Sequence, residues 1–356
     1  MLRPKIKEYY DIVPEAEDRY QVRSSEVVSV LKGATVKDVL VHLFPLLDGR
    51  HSIEEIVNKL SDVASQEVLH GVLEKLIKLR IVEDASERDD SGLSPQEVER
   101  YRRQLMFLDI SLDEGTDLQY QRNIKESRLS IVGEGDLAVS IARQAVRVGI
   151  GRVTGINLKD GRRIGEENPD VSFNQAGIDL LDERSISLAI EQEKPSLIVV
   201  AADRAEPSLL KWMNELTQRL RISLLYCEIS GTEGVIGPFV LPGQTACLMC
   251  QHLRVTRNLD FYQEYRSWEK WVTTDGARSR AQTGSLSPFT EMVAGMASLE
   301  VFKHVSSFHE PETYGKFLTV NALSYEITSH EVLRVPRCPA CGNARTRPTF
   351  SVWQGV

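Results

Sequence analysis

Two cysteine pairs constrain the fold of this chain more than any other feature of its sequence. They read Cys247-Leu248-Met249-Cys250 and Cys338-Pro339-Ala340-Cys341, with no other cysteine between them. Each spacing places two thiolates close enough to share one metal ion, and two such pairs complete the four-thiolate tetrahedron that zinc prefers. We predict a structural zinc site that ties the C-terminal part of the chain to a much earlier segment. The alternative is four unrelated buried cysteines.

The composition is that of a soluble protein with room for two domains. The chain has 356 residues, of which 42% are hydrophobic and 26% charged, and its 43 basic and 51 acidic residues give a net charge of −8. That balance, without a long basic run, argues against nucleic acid or an anionic membrane surface as the main partner. No apolar run reaches the ~18 residues needed to span a bilayer.

The cysteine usage and the N-terminus predict a cytoplasmic protein. Four of the five cysteines lie in C-x-x-C pairs, and residues 1–5 lack the apolar core of an export signal. The fifth, Cys227, lies in the apolar run 222–229. We predict that it is a buried core thiol rather than a nucleophile, because reactive thiols need an exposed electropositive site.

Residues 1–84 are typical of a small winged-helix-like domain. Turn residues and apolar periodicity predict three strands, three amphipathic helices and a last short strand, at 8–13, 19–23, 26–31, 36–43, 53–60, 65–79 and 81–82. Thr35 is the predicted N-cap of the first helix. Ser52, with Glu55 three residues later, predicts a capping box for the second.

This domain is better suited to bind a peptide than to bind DNA. Its third helix mixes three basic residues with Glu67 and Glu74 and is a poor phosphate-binding face. A small sheet with an open edge beside an amphipathic helix can instead accept an extended peptide as an extra strand. The predicted groove consists of apolar residues from the third strand and third helix: Val27, Val28, Val30, Leu69, Leu73, Leu76 and Ile77.

An acidic, turn-rich linker at 85–96 separates this domain from a second domain at 97–356. The run 128–156 predicts a buried strand, a turn with Gly133 and Gly135, a helix and a second strand, which form the first βαβ unit of a Rossmann-type α/β sheet. Such a glycine turn brings a phosphate close to a helix N-terminus. A structural turn without a ligand is the alternative.

Polar residues at two strand ends are candidates for nucleotide contacts. Asn157 follows the second strand, where it can hydrogen-bond a ribose, and Asp203 follows a later buried strand at 197–202. An acid at the carboxyl end of a parallel strand is suited to bind Mg²⁺. Asp203 can equally cap the following helix, which begins near Glu206, and the sequence leaves both roles open.

The order of these motifs resembles the ThiF-like fold of ubiquitin-type activating enzymes over residues 97–345. The motifs are R-Y-x-R-Q, a strand with G-x-G, then G-x-G-R-V-T, a strand ending A-x-D, a glycine-rich segment before T-A-C-x-x-C, and a late C-P-x-C. The resemblance implies that active members bind ATP·Mg²⁺ and adenylate a peptide C-terminus. It matches Arg103 to an arginine that enters a partner subunit's nucleotide site, Gly133 and Gly135 to the glycine loop, and Asp203 to the magnesium ligand.

This chain departs from the active pattern at three places. Asn157 stands where an acid grips the ribose, the segment 168–175 has no arginine, and the loop 251–285 has no cysteine that could take an acyl group. These departures argue against adenylation and against thioester transfer. We therefore predict that zinc is the cofactor and that the remaining nucleotide positions are vestigial, namely Arg103, Gly133, Gly135, Asn157 and Asp203.

A winged-helix-like domain joined to such a ThiF-like domain resembles the ThiF-like partner proteins of YcaO cyclodehydratases, including streptolysin-type cyclodehydratase C proteins and leader-binding proteins of azole peptide pathways. The resemblance implies a subunit that binds the leader of a ribosomal precursor peptide and presents its core to a YcaO subunit, which forms azolines in a bacteriocin-like pathway. The alternatives are an active ThiF-like enzyme that adenylates a peptide or carrier-protein C-terminus with ATP, and an NAD(P)-dependent oxidoreductase, which the missing ribose acid disfavours.

Two segments between the cysteine pairs predict contacts. The run 259–271 mixes aromatic and charged residues, which is typical either of an interaction surface or of an amphipathic helix packed on its own domain. The run 288–304 predicts a helix with small residues on its surface that suit close helix packing, namely Ala294, Gly295, Ala297 and Ser298. We therefore predict a homodimer.

Overall fold

The chain divides into two compact units, Met1–Arg122 and Asn123–Val356. The computed structural model describes residues 2–16, 18–33, 36–88, 92–111, 116–158, 161–203, 206–274 and 284–342. The predicted N-cap Thr35 and the end of the predicted second domain, beyond residue 342, lie outside these ranges.

The first unit is built from two small antiparallel sheets and short helices. Its elements are β1 (Pro4–Ile6), β2 (Asp11–Ala16), β3 (Arg19–Arg23), β4 (Val28–Lys32), α1 (Val41–Leu43), α2 (Ile53–Lys59), α3 (Gln66–Lys78) and β5 (Val82–Asp84). The predicted meander is confirmed, with strand order β2-β3-β4, and β1 pairs with β5. The sequence did not reveal β1, because three residues are too few to show alternation.

Local caps and an apolar core fix the helices of this unit. The Ser52 hydroxyl accepts from the Glu55 N–H at 3.2 Å, and the Glu55 carboxylate accepts from the Ser52 N–H at 2.8 Å, so the predicted capping box is confirmed. Ser65 caps α3 by accepting from the Val68 N–H. The core consists of buried aliphatic residues: Val22, Leu31, Val39, Leu40, Leu43, Leu47, Ile56, Val57, Leu60, Leu69, Leu73, Leu76, Ile81 and Val82.

Three helices follow β5 in the chain: α4 (Pro95–Arg100), α5 (Arg102–Ile110) and α6 (Asp117–Glu126), the last of which crosses the division between the units. Helix α4 begins at Pro95, directly after its N-cap Ser94. Helix α5 is joined to the N-terminal segment because the Asp109 carboxylate accepts hydrogen bonds from Lys7 Nζ at 2.7 Å and from the Tyr9 hydroxyl at 2.8 Å. The linker at 85–96 stays a prediction, whereas α4 and α5 belong to the first unit.

The second unit contains, within the described residues, an eight-stranded sheet. Its strands are β6 (Arg128–Val132), β7 (Arg152–Ile156), β8 (Ser172–Ala176), β9 (Leu197–Ala202), β10 (Ser223–Ser230), β11 (Glu233–Val240), β12 (Lys316–Asn321) and β13 (Ile327–Glu331). Across the sheet the order is β8-β7-β6-β9-β10-β11-β12-β13, with the first five strands parallel and the last three antiparallel. The predicted Rossmann-type sheet is confirmed. The strand order reverses between β6 and β9, where ligands bind in such folds.

Six helices of this unit lie in the described ranges: α7 (Asp136–Arg147), α8 (Glu183–Glu193), α9 (Pro207–Leu220), α10 (Leu248–Arg257), α11 (Tyr262–Thr274) and α12 (Ser287–Ser306). Helix α12 is the one predicted at 288–304, and it packs on α7 and β11. The predicted close packing of its small residues occurs within this unit, where Ala294 and Ala297 are completely buried. None of these helices is both long enough and apolar enough to cross a membrane.

A hydrophobic core on β9 and β10 includes residues of α8 and α9 together with the cysteine pairs. Ile190 and Met213 are fully buried in it, and Cys247, Cys250 and Cys338 belong to the same cluster. The fifth cysteine, Cys227 on β10, is also fully buried. Burial raises the pKa of its thiol to about 12. The prediction that Cys227 is a core thiol is confirmed.

Candidate functional site

The four paired cysteines converge on one small cluster. Their sulfur atoms all lie within 4.8 Å of one another, and three of the residues are buried while Cys341 is half-buried. Cys247 Sγ lies 3.9 Å from Cys250 Sγ and 3.6 Å from Cys338 Sγ, and Cys250 Sγ lies 3.4 Å from Cys341 Sγ. A disulfide requires a separation of about 2.05 Å. The cluster therefore consists of four separate thiols that share one centre.

The surrounding backbone holds these thiols in place. Cys247 is the N-cap of α10, and the Cys250 N–H donates to the Cys247 carbonyl at 3.0 Å, so the first pair occupies the first turn of a helix. The second pair lies in a tight turn, where the Cys338 N–H donates to the Val335 carbonyl and the Gly342 N–H to the Cys338 carbonyl, each at 2.9 Å. The Val335 N–H donates to Cys250 Sγ at 3.3 Å and joins the two segments.

The donor set and its spacing fit zinc. Four thiolates bound at about 2.3 Å stand about 3.8 Å apart in a tetrahedron, and the measured sulfur separations bracket that value. Burial raises the pKa of Cys247 and, to about 11, that of Cys341. Burial also opposes ionisation of Cys338, but the N–H groups of Cys341 and Ala340 lower its pKa. A divalent cation bound here would supply the charge that ionises all four thiols, and with four protein ligands such a centre would be structural rather than catalytic.

The glycine turn between β6 and α7 is required by the backbone itself. Gly135, the N-cap of α7, has a φ of 130°, which residues with a Cβ atom rarely adopt. A Cβ atom at Gly135 would lie 2.2 Å from Asp203 Oδ2, and one at Gly133 would lie 2.1 Å from the Ala201 carbonyl oxygen. Close packing against the end of β9 is therefore sufficient to explain both glycines.

Asp203 lies directly after β9 and caps α7. Its Oδ2 atom accepts a hydrogen bond from the Asp136 N–H at 2.8 Å, and its Oδ1 atom accepts one from the Leu137 N–H at 3.2 Å. Of the two roles that the sequence left open, the structure contains a cap, but on α7 rather than on the following helix, α9. The Asp203 carboxylate thus accepts from the N–H groups at the start of α7. In other proteins, N–H groups at a helix N-terminus bind a phosphate or another anion.

The remaining nucleotide candidates are distributed over both units. Asn157 follows β7, where its φ is 61° and its N–H donates to the Ala176 carbonyl at 2.9 Å. Because β6, β7 and β9 are parallel neighbours, Asn157, Gly133 and Asp203 lie along the same edge of the sheet. Arg103 is exposed on α5, in the first unit. The structure therefore brings Gly135 against Asp203 and Gly133 against Ala201, and it places Asn157 at the end of an adjacent strand.

Strand β4 is an edge of the three-stranded sheet in the first unit. The side chains of Val28 and Val30, on the same face of the strand, are 53% and 40% exposed, and the preceding Val27 is 47% exposed. Exposed valines on an unpaired strand edge are unusual, because such an edge invites pairing with another chain. These three predicted groove residues lie at the surface.

The hydrogen-bond pattern of β4 shows which of its backbone groups are directed outward. The Gly33 N–H donates to the Asp18 carbonyl at 3.2 Å just beyond the strand, which sets the phase of the ladder with β3. Bonded and non-bonded pairs alternate in an antiparallel ladder. The backbone N–H and C=O groups of Val28, Val30 and Lys32 therefore point away from β3, along the open edge.

Three other predicted groove residues lie beneath the surface. Leu69, Leu73 and Leu76 are 0%, 1% and 1% exposed and fill the core of the first unit. This corrects the prediction that they line a groove, because the most apolar face of an amphipathic helix packs on its own domain first. Ile77 is 38% exposed, as is Val68 on the same helix, which the sequence analysis did not select.

A buried acid–tyrosine pair on β10 was missed by the sequence analysis. The Tyr226 hydroxyl, on a residue only 4% exposed, donates to Glu228 Oε2 at 2.5 Å. Burial raises the pKa of Glu228. A glutamate within the otherwise apolar run 222–229 was the available signal, and it was outweighed by the apolar residues around it.

The aromatic run 259–271 packs largely as a helix on its own domain, and its role as an interaction surface stays a prediction. It forms most of α11, which packs on α9 and α10 and buries Val272. His252 Nε2 on α10 lies 2.9 Å from Glu269 Oε1 on α11 and joins the two helices. Phe261 and Trp271 are nevertheless 73% and 48% exposed. The rest of the predicted loop, at 275–283, lies outside the described residues.

Comparison with known proteins identifies the family. The model of the ThiF family matches residues 161–341, which are 181 of the 356 residues and just over half of the chain. The chain belongs to the ThiF family. This ThiF-family protein is similar to Protein HesA of Leptolyngbya boryana, with 28% identity over 276 residues that cover 70% of this chain and 88% of HesA. It is also similar to the molybdopterin-synthase adenylyltransferase of Escherichia coli, with 20% identity over 275 residues that cover 70% of this chain and 98% of the relative.

Solved structures share the fold of the ThiF-family protein over nearly its whole length. The structure of E. coli MccB with succinimide has a TM-score of 0.63 and 15% identity and covers 95% of this chain and 99% of MccB. The heterocyclase TruD has a TM-score of 0.63 and 16% identity and covers 96% of this chain but 43% of TruD. The likeness extends through both units, and the chain spans less than half of the heterocyclase.

Proposed function

We propose that this ThiF-family protein binds the leader segment of a ribosomally made precursor peptide as an added strand on β4. The observation that carries the proposal is the open edge of β4, where Val28 and Val30 combine outward backbone groups with exposed apolar side chains. Main-chain hydrogen bonds would supply affinity, and alternate side chains would supply specificity. Leu31 of β4 belongs to the same hydrophobic core as the leucines of α3, and Ile77 contributes exposed apolar surface on that helix.

The opposite edge of the same sheet is less suited to accept a strand. By the same alternation, Ile12 and Pro14 of β2 face away from β3. Proline has no N–H group, and the β2 register shifts between Pro14 and Ala16. Prolines and bulges are the usual means by which edge strands avoid pairing. The contrast favours β4 as the edge that receives a peptide.

A displayed library of random peptides, panned against the purified full-length protein, tests this proposal directly. We expect enrichment of peptides with alternating apolar residues, since an added strand places every second side chain on the same face. Val30→Pro removes one outward N–H without breaking a bond to β3, and it should weaken binding of an enriched peptide about 10-fold. The matched variant Val30→Thr keeps that N–H and should bind nearly as well as wild type.

Two outcomes would overturn the peptide proposal. One is a library that yields no specific binder. The other is equal affinity of wild type, Val30→Pro and Val30→Thr for the enriched peptides. In that case the backbone N–H of Val30 would contribute nothing to binding. Hydrogen–deuterium exchange with bound peptide locates the contact independently, with protection expected at Val28 and Val30.

We further propose that the bound peptide is presented to a YcaO-type cyclodehydratase subunit for azoline formation. Solved structures with this fold include MccB with MccA and a heterocyclase in complex with substrate and cofactor. The chain matches 40–43% of the heterocyclases, and we propose that a cyclodehydratase acts on the peptide that this part of the fold holds. Tethering a substrate raises its effective concentration at a partner's active site. Copurification of a YcaO subunit that forms azolines only in the presence of this chain is the expected result, and azoline formation without it would contradict the proposal.

An enzyme that adenylates a peptide or carrier-protein C-terminus is the second candidate, favoured by the likeness to adenylyltransferases. The contacts of Asp203 weigh against it, because its carboxylate already bonds to the N-terminus of α7. ATP–pyrophosphate exchange with an enriched peptide separates the candidates. Robust exchange by the purified protein would establish the enzyme, and the scaffold proposal expects none.

We also propose that the four-cysteine cluster holds one structural zinc ion, through Cys247, Cys250, Cys338 and Cys341. Metal analysis of the purified protein should find about one zinc per chain. A protein that carries no zinc, and whose melting temperature does not change with a chelator, would contradict this assignment. Homodimerisation, the last of the predicted associations, is tested by sedimentation, and a monomer would remove it.

A further inference from the structure

Asn214 on α9 meets α10 at the point where the first cysteine pair begins. Its Oδ1 atom accepts a hydrogen bond from the Leu248 N–H at 3.0 Å, and Leu248 directly follows Cys247. The Asn214 residue is 1% exposed. Cys247 occupies the N-cap position of α10 but makes no side-chain capping bond. Asn214 therefore supplies from a neighbouring helix the cap that α10 lacks.

The side-chain NH₂ group of Asn214 indicates a second role for this residue. Asn214 Nδ2 is buried and, among the described residues, has no hydrogen-bond partner. A buried donor without an acceptor costs about 1–3 kcal/mol, and asparagine is also a poor residue for the interior of a helix. Zinc with four thiolates carries two negative charges in excess, and N–H groups around such a centre stabilise that charge.

We infer that Asn214 is a positioning residue of the metal site, an inference that rests on the proposed zinc ion. Its oxygen fixes the N-terminus of α10 and hence the helical turn that carries Cys247 and Cys250. Its buried N–H group, which has no acceptor among the described residues, adds positive potential next to the N-terminus of α10, where Cys247 lies. The Val335 N–H acts on the thiolates directly from the other cysteine segment, since it donates to Cys250 Sγ at 3.3 Å.

The experiment compares two substitutions with a matched control. Asn214→Leu removes both the acceptor and the donor, whereas Asn214→Asp keeps an acceptor oxygen and replaces the donor with a negative charge. Glu215→Gln changes an exposed residue of the same helix. The readouts are the rate at which the full-length zinc-loaded protein transfers zinc to a chromogenic chelator and the absorption spectrum after replacement of zinc with cobalt(II).

We expect both Asn214 variants to release zinc about 10- to 100-fold faster than wild type. The control should release it at the wild-type rate. A wild-type release rate and an unchanged cobalt spectrum in Asn214→Asp would overturn the role of the donor, and a wild-type rate in Asn214→Leu would overturn the inference entirely. Asn214→Asp decides the matter if Asn214→Leu does not fold. Wild-type protein that binds no zinc would instead refute the zinc assignment, and the two failures are therefore distinguishable.

Discussion

At the scale of single residues, Asp203 shows how one side chain organises the nucleotide-type turn. It reaches from the end of β9 to the first N–H groups of α7, 67 positions earlier in the chain. An anion at this place is stabilised by the free N–H groups and by the helix dipole. In this structure the anion belongs to the chain itself, since the Asp203 carboxylate accepts from the Asp136 and Leu137 N–H groups.

The cap makes a prediction about stability. We expect Asp203→Ala to lower the free energy of unfolding by about 1 kcal/mol, because α7 loses acceptors for two N–H groups. Asp203→Asn keeps one acceptor oxygen and should lose less. Urea denaturation followed by circular dichroism measures both changes, with the exposed Asp260→Ala as a control. Equal stability of Asp203→Ala and wild type would show that the cap contributes nothing.

At the scale of elements, the attachment of α5 to the first unit depends on one shared acceptor. The Asp109 carboxylate accepts hydrogen bonds from Lys7 Nζ, from the Tyr9 hydroxyl and, at 3.4 Å, from Arg80 Nη2. The side chains of Lys7 and Asp109 are 8% and 11% exposed. A buried ion pair of this kind is costly to break from one side, since the partner left behind keeps its charge. The network explains why α5 belongs with the N-terminal strands.

The two partners should therefore respond differently to substitution. Asp109→Ala leaves the Lys7 ammonium group buried without its partner and should destabilise the attachment of α5 by about 3 kcal/mol. Lys7→Met leaves Asp109 with Tyr9 and Arg80 and should cost about 1 kcal/mol. Local hydrogen–deuterium exchange in β1 and α5 reports both effects. Lys7→Met as damaging as Asp109→Ala would contradict the asymmetry.

The segment after β13 carries Cys338 and Cys341, and its contacts with α10 hold it in place. Arg254 Nε on α10 donates to the Leu333 carbonyl at 2.6 Å, and the Val335 N–H donates to Cys250 Sγ. We expect Cys338→Ser to lose the metal and to lower the melting temperature by roughly 5–10 °C. Peptide binding on β4 should persist in the variant at temperatures where it remains folded. Selective loss of peptide binding with normal zinc content and normal melting would contradict the structural role.

At the scale of the whole molecule, one histidine predicts how stability depends on pH. His304 on α12 has its Nδ1 atom 2.6 Å from the Tyr314 hydroxyl, and burial lowers the pKa of His304 from 6.5 to about 4. The folded state therefore binds fewer protons than the unfolded state between these two values. The stability associated with neutral His304 is fully present above pH 6.5 and is lost as pH falls towards about 4.

We expect His304→Gln to flatten this part of the stability curve. In wild type the single histidine contributes a loss of up to about 1.4 kcal/mol per pH unit across the window. The variant has no such proton linkage, so its denaturation midpoints should fall less steeply between pH 6.5 and 4. Urea midpoints at a series of pH values measure the slope. Parallel curves for the variant and wild type would refute the assignment.

The features that were predicted correctly from the sequence depend on local rules. The capping box of Ser52 and the meander β2-β3-β4 depend on residues a few positions apart, and each prediction was confirmed. The convergence of two cysteine pairs was also predictable, because metal geometry restricts the spacing of ligands. The wrong or incomplete predictions concern faces. Leu69 was expected to line a groove and is buried, since periodicity identifies an apolar face but not the partner against which it packs.

By itself, the sequence determined the meander of the first unit, the Rossmann-type class of the sheet and four thiols spaced to share one metal ion. Tertiary structure decided that Asp203 caps α7, that Asn214 caps α10, and that β4 combines outward backbone groups with exposed valines. The physical reason is distance along the chain. Propensity, capping and turn chemistry act between near neighbours, whereas these contacts join distant segments or depend on which strand of a sheet is left unpaired, and both are settled only when the elements pack together.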